Sequence, residues 1–207
     1  MQMAVARTRI LAGLAVLLFV LAPMAVSAAP AEDWTFGVDI PQKGTKVELW
    51  TKSNGVQVPQ EIGINGGGGL MLSLTTPYHV GFGLESYSLT LQPEPGDDKF
   101  LLDMNTTMLD VYVQIPVTSW MFFAPGAGWG QSTIKPQGKA SDFHQPETIN
   151  LWQWYVTLGF NLPWWNMHAR LGYREARGNV VNREGGGDTE TQMLLLTTTS
   201  IGLGWTF

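Results

Sequence analysis

The stretch Trp152-Gln153-Trp154-Tyr155-Val156-Thr157-Leu158-Gly159-Phe160-Asn161-Leu162 decides the fold. Its even positions are all large and apolar, and its odd positions are Gln, Tyr, Thr, Gly and Asn. A period of two residues puts these sets on opposite faces of a β-strand. In a membrane barrel the apolar face meets lipid and the polar face meets the lumen. A soluble β-sandwich shows the same alternation with the faces exchanged, so the rest of the chain has to choose between them.

Working outward, the pattern recurs. In 104–117, Leu109, Val111, Val113, Ile115 and Val117 alternate with Asp110, Tyr112 and Gln114. In 166–179, Met167, Ala169, Leu171 and Tyr173 oppose His168, Arg170, Gly172 and Arg174. Strands are predicted at 44–53, 61–75, 77–91, 104–117, 119–134, 147–162, 166–179 and 189–207. Short joins at Thr75–Pro77, Val117–Ser119 and Pro163–Asn166 take turns with longer polar or Gly/Pro-rich joins at 53–60, 92–102, 136–146 and 180–188. That rhythm belongs to outer-membrane barrels, with short periplasmic turns and long outer loops. The predicted fold is all-β: an eight-stranded antiparallel up-and-down transmembrane β-barrel with both termini on the periplasmic side. Trp120, Trp164, Trp165 and Trp205 gather near the strand ends of that side, where an interfacial girdle belongs.

Residues 1–29 read as a cleaved secretory signal peptide. Arg7 and Arg9 precede an apolar run, Ile10 to Ala22, and Val26-Ser27-Ala28 supplies small residues for cleavage near Ala28 or Ala29. Residues 30–43 are then expected as an N-terminal periplasmic segment and 44–207 as the barrel. Losing two of 12 basic residues leaves 10 against 17 acids, a formal charge near −7. Nucleic acid is thereby an unsuitable partner, because phosphate neutralisation needs clustered Lys and Arg. The absence of cysteine excludes disulfide and thiolate chemistry.

The chain ends Gly202-Leu203-Gly204-Trp205-Thr206-Phe207, with apolar side chains at every second place up to a terminal Phe. This ending resembles the C-terminal signal read by the β-barrel assembly machinery, carried here by Leu203, Trp205 and Phe207. With the turn rhythm, the chain resembles the small outer-membrane barrel proteins related to OmpX, OmpA and OmpW. The resemblance implies export, assembly by that machinery, and residence in the bacterial outer membrane among its lipids and lipopolysaccharide. It implies no particular activity and no cofactor.

Function must be written in the lumen. Counting from the periplasmic turns, Glu85, Asp110 and Arg174 point inward at similar height, with Arg170 on the same face as Arg174. A buried Arg is costly unless paired, and carboxylates at its level would satisfy it. A plug of charges, as in OmpA-like proteins, is the expected result; a gated proton or ion path is the rival. Higher up, Leu89, Leu91, Leu151, Leu194 and Leu196 face inward unless a bulge returns them to lipid, with Met71 lower down. OmpW resemblance would make these an apolar pocket for a small hydrophobic ligand. A hydrolase, as in barrels that modify lipid A, would need a nucleophile, a His and an acid together. His79 and His168 lie near periplasmic turns and His144 in a loop, so the chain is read as no enzyme. No His/Asp/Glu spacing suggests a metal. Asn65-Gly66-Gly67-Gly68-Gly69 lacks the Lys and Ser/Thr of a phosphate loop, and its glycines suit strand curvature or close packing instead. Gly126, Gly128 and Gly130 make room on an inward face. The expected function is a structural or surface-interaction barrel with a charged plug. A narrow channel or carrier for small hydrophobic molecules is the alternative, and a lipid-A-modifying enzyme a lesser one.

Overall fold

The computed structural model describes residues 33–42, 46–53, 56–92, 100–138, 146–162, 165–183 and 189–207. Their strand segments are β1 (Thr35–Pro41), β2 (Lys46–Ser53), β3 (Val56–Thr75), β4 (Val80–Gln92), β5 (Phe100–Val113), β6 (Ile115–Thr118), β7 (Met121–Gly138), β8 (Glu147–Leu162), β9 (Met167–Arg183) and β10 (Thr189–Thr206). They build eight wall strands. β1 and β2 are two halves of one, since both pair with β10 on one side and β3 on the other. β6 continues β5 along β7. Every pairing is antiparallel and the last strand closes on the first, so the wall is a closed barrel. Trp34 and Phe207 exchange backbone hydrogen bonds at 3.0 and 2.9 Å, carrying closure to the final residue.

The wall begins at Thr35 rather than at residue 44. The expected periplasmic segment 30–43 therefore yields β1, whose seven residues are too short an alternation to be seen beside its longer neighbours. Residues 56–60, 100–102, 136–138 and 180–183, expected in joins, are likewise strand. Trp164, His144 and the signal segment lie outside the described residues.

Register fixes the barrel's size. From Asp39 the pairs run through Met71, Glu85, Met108, Gly130, Leu151, Gly178 and Leu194 to Leu49, ten residues further along the starting strand. An eight-stranded wall with such a stagger tilts by about 35–45° and leaves an interior just wide enough for side chains. At the end carrying both termini, the turns are tight: His79 at φ 63° donates its backbone N–H to Thr76 O at 2.9 Å, and Asn166 sits at φ 48°.

A membrane crossing needs about 9–11 residues per strand. β3, β7, β9 and β10 run 17 to 20 residues, so much of the wall projects beyond the bilayer. Side chains mark the boundary. On β8 the outward set Leu162, Phe160, Leu158, Val156, Trp154, Trp152 changes to Asn150 and Thr148. Its inward set reverses at the same place, from Thr157, Tyr155 and Gln153 to Leu151 and Ile149. β4 repeats this, with Phe82 and Leu84 giving way to Ser86 and Ser88 outside as Glu85 gives way to Tyr87, Leu89 and Leu91 inside. The molecule thus has a membrane storey, apolar outside and polar within, and an outer storey built the opposite way.

Pairing lapses at two places among the described residues, one of them between Tyr112–Gly126 and Ile115–Phe123 where β5 gives way to β6 along β7. At the other, β1 leaves β3 after Asp39–Met71, so Gly69 and Leu70 lack a partner opposite Pro41 and Ile40, and β2 pairs with β3 from Val47–Ile62. Asn65 forms a bulge against β4, between Ile64–Leu91 and Gly66–Thr90. Gly67 there has φ +146°, a conformation that only glycine adopts without strain.

Candidate functional site: the filled lumen

β9 presents His168, Arg170, Gly172 and Arg174 to the lumen at alternate positions, as strand periodicity requires. Arg174 is ion-paired to Glu85 on β4 and lies 3.7 Å from Asp110 on β5. Its guanidinium stands 4.3 Å from the centroid of the Tyr155 ring. Gln153 donates its amide to Asp110 Oδ1 at 2.6 Å. One layer closer to the termini, Arg170 pairs with Asp39 at 3.1 Å and donates to Ser73 Oγ. These five charged residues are each 1–5% exposed. A buried charge in so narrow a space must be paired, and here each guanidinium meets at least one carboxylate.

Glycine makes the layers fit. A Cβ at Gly37 would collide with the Arg170 guanidinium, one at Gly128 with Asp110, and one at Gly126 with Tyr155 and Tyr112. The two tyrosines meet edge-on at 6.4 Å, and Tyr112 Oη shares a 2.7 Å hydrogen bond with Thr75 Oγ1.

Above this belt the inward side chains are apolar. Leu89, Leu91, Leu151, Leu194 and Leu196 close on one another with Val47, Ile62, Met104, Met108 and Ile149, each no more than 7% exposed. A side chain lining a water-filled bore would keep contact with water, so this part of the lumen is a packed core. Met71 stands apart, buried at the level of the belt between Asp39 and Glu85 in the register. Gly67 and Gly69 lie beneath Leu89 and Tyr87, where any Cβ would collide.

Inward parity, which the sequence carries, brings Glu85, Asp110, Arg170 and Arg174 together. Sequence reasoning put Gln153 and Tyr155 on the lumen face without joining them to the charge network, and missed Asp39 and Ser73. Asp39 was legible only through the short alternation Phe36, Val38, Ile40 against Gly37 and Asp39. Leu203, Trp205 and Phe207 all face outward and are exposed. The His168 ring stands edge-on to Phe122 at 5.1 Å, with the Arg170 side chain next along its face. Among the described residues, no group of three His, Asp or Glu is placed to hold a metal ion.

No protein-family model matches the sequence, and no curated protein is similar to it. Solved structures are similar in fold. The outer membrane protein AlkL in lipid bilayers superposes with a TM-score of 0.55 at 14% identity, over 87% of this chain and 92% of that one. Neisserial surface protein A gives 0.49 at 10% identity, covering 84% and 97% of the two chains. OprG of Pseudomonas aeruginosa gives 0.48 at 12%, covering 86% and 97%. At 14% identity the likeness to AlkL establishes fold and nothing of substrate. Together with the apolar outward belt, it makes the chain a small eight-stranded β-barrel of the bacterial outer membrane.

Proposed function

We propose that the protein is a closed, non-conducting barrel with a structural or surface-interaction role, its termini in the periplasm and its outer storey beyond the cell surface. The observation that carries this is the double filling of the lumen, by ion pairs within the membrane and by an apolar core above it. An ion crossing such a bore would have to displace both. Leu203, Trp205 and Phe207 would serve recognition by the assembly machinery. The test is a planar-bilayer recording with the purified full chain. The expected outcome is no unitary current; discrete openings with steady conductance would overturn it.

A second role, as a carrier for small hydrophobic molecules, is favoured by the lapse in pairing at Gly69 and Leu70, because the apolar core begins behind it at Tyr87. Cβ atoms added at Gly66 or Gly68 would meet nothing within 4 Å. A carrier would bind an apolar fluorophore saturably, and Gly66→Trp or Gly68→Trp would reduce that binding. Unsaturable partitioning, unchanged by either substitution, would leave the structural role alone.

A further inference from the structure

The outer storey is not uniform around its circumference. On β4, β5, β7 and β8, four consecutive wall strands, the last apolar row reads Leu84, Leu109, Trp129, Trp152. The next outward row, in register, reads Ser86, Thr107, Gln131, Asn150, and the one above it Ser88, Asn105, Thr133, Thr148. These eight positions carry hydroxyls and amides and no charge. Gln131 donates its amide to Asn150 at 3.3 Å, and Thr133 and Thr148 share a hydrogen bond at 3.4 Å. On the other half of the wall, the Trp152 row continues as Arg177, Leu195, Glu48 and Glu61, with three charges in four positions. In a chain of net charge −5, two successive outward rows across four neighbouring strands without a charge form a neutral face, bordered at its base by that charged row.

We propose that this neutral grid docks the core oligosaccharide of a neighbouring lipopolysaccharide molecule. The face is continuous with the lipid-facing belt and begins one row above it, at the level where the lipid of the outer leaflet changes from acyl chain to sugar. Strands about 4.8 Å apart hold donors and acceptors at fixed spacing, so a saccharide meets them without ordering a flexible surface. Trp129 and Trp152, paired across strands and exposed at the base, offer flat amphipathic rings to the junction of sugar and acyl chain. An acidic inner core meets no carboxylate in either row. The inference deepens the surface-interaction role and holds whether or not the lumen conducts, since lipid retention and current are separate readouts.

The experiment reconstitutes the full chain with core-bearing lipopolysaccharide or with lipid A lacking core sugars, and counts lipid molecules retained after detergent extraction by native mass spectrometry. Core-bearing lipid should be retained several-fold better. The double substitution Gln131→Ala with Asn150→Ala should bring retention to the lipid A level. So should Ser86→Asp with Thr107→Asp, which sets charge against the acidic core. Arg177→Gln, on the charged half, should leave the preference intact. Equal retention of the two lipids by the unsubstituted chain would overturn the proposal, as would a preference lost with Arg177→Gln, which assigns binding to lipid phosphate.

Discussion

The two storeys of this barrel use the same strands and the same period of two, with opposite sign. On β5, Asp110 faces in and Leu109 out; four residues further along, Thr106 and Met104 face in while Asn105 and Thr107 face out. Nothing in the backbone changes between them. What changes is the surrounding medium, because hydrocarbon demands an apolar exterior and lets polar groups be satisfied only inward, whereas water rewards an apolar interior. The membrane storey is therefore held in register by ion pairs and backbone hydrogen bonds, and the outer storey by a core like that of a soluble protein. Substitutions should separate the two.

The largest effect is expected from Arg174→Met. It leaves Glu85 and Asp110 facing each other without their guanidinium, and breaking a buried pair typically costs about 3–5 kcal/mol. Arg177→Met, at a half-exposed ion pair with Glu175 on the outer surface, should cost roughly 0–1 kcal/mol. Urea unfolding in detergent micelles compares them directly. Equal losses would mean that Arg174 is solvated and the membrane storey holds water.

In the outer storey Leu194→Ala removes a fully buried side chain and should cost about 2–5 kcal/mol, depending on how far the core collapses. Because this storey lies outside the bilayer, the loss should be independent of acyl-chain length when unfolding is measured in vesicles of different thickness. A loss that tracks thickness would move Leu194 into the membrane and erase the boundary between storeys.

The outward faces give a third comparison. Leu158→Arg puts a charge into the lipid belt, at about 2–4 kcal/mol near the midplane, while Asn150→Arg on the same face of β8 should cost about 0–1 kcal/mol. The readout is the fraction of folded, heat-modifiable protein in vesicles. Similar yields would show that the belt extends to Asn150.

Much of this was legible because parity is robust. Once the turns are placed, Glu85, Asp110 and Arg174 fall on the inward face, and Leu89, Leu91, Leu151, Leu194 and Leu196 with them. Less legible was why the leucines are inside. Alternation reports which residues share a face and not what solvent that face meets, so a core beyond the bilayer reads as a pocket within it. Strand length carries that information, and it was obscured because polar stretches such as 136–138 look like loop. Asp39 was lost to the shortness of β1. The bulge at Asn65 has a visible cause in the glycines that follow it, although composition alone cannot give the register shift.

The smallest effect is the most diagnostic. Among the described residues, the belt sets Asp39, Glu85 and Asp110 against Arg170 and Arg174, three carboxyl groups to two guanidiniums. The division is uneven, since Arg170 has one carboxylate and Arg174 has two. Glu85→Gln preserves shape and an acceptor for Arg174, leaves Asp110 as its counter-charge, and balances the belt at two against two. Its cost should be about 1 kcal/mol, the scale of one hydrogen bond exchanged for a weaker one. Asp39→Asn is the same chemical change one layer away, yet it takes the only paired carboxylate from Arg170, and its cost should approach the 3–5 kcal/mol, approximately, of a broken buried pair. Urea unfolding of the two variants under identical conditions decides it. A Glu85→Gln loss equal to that of Asp39→Asn would mean that Arg174 depends on Glu85 alone, and that Asp110 is held by Gln153 rather than by charge.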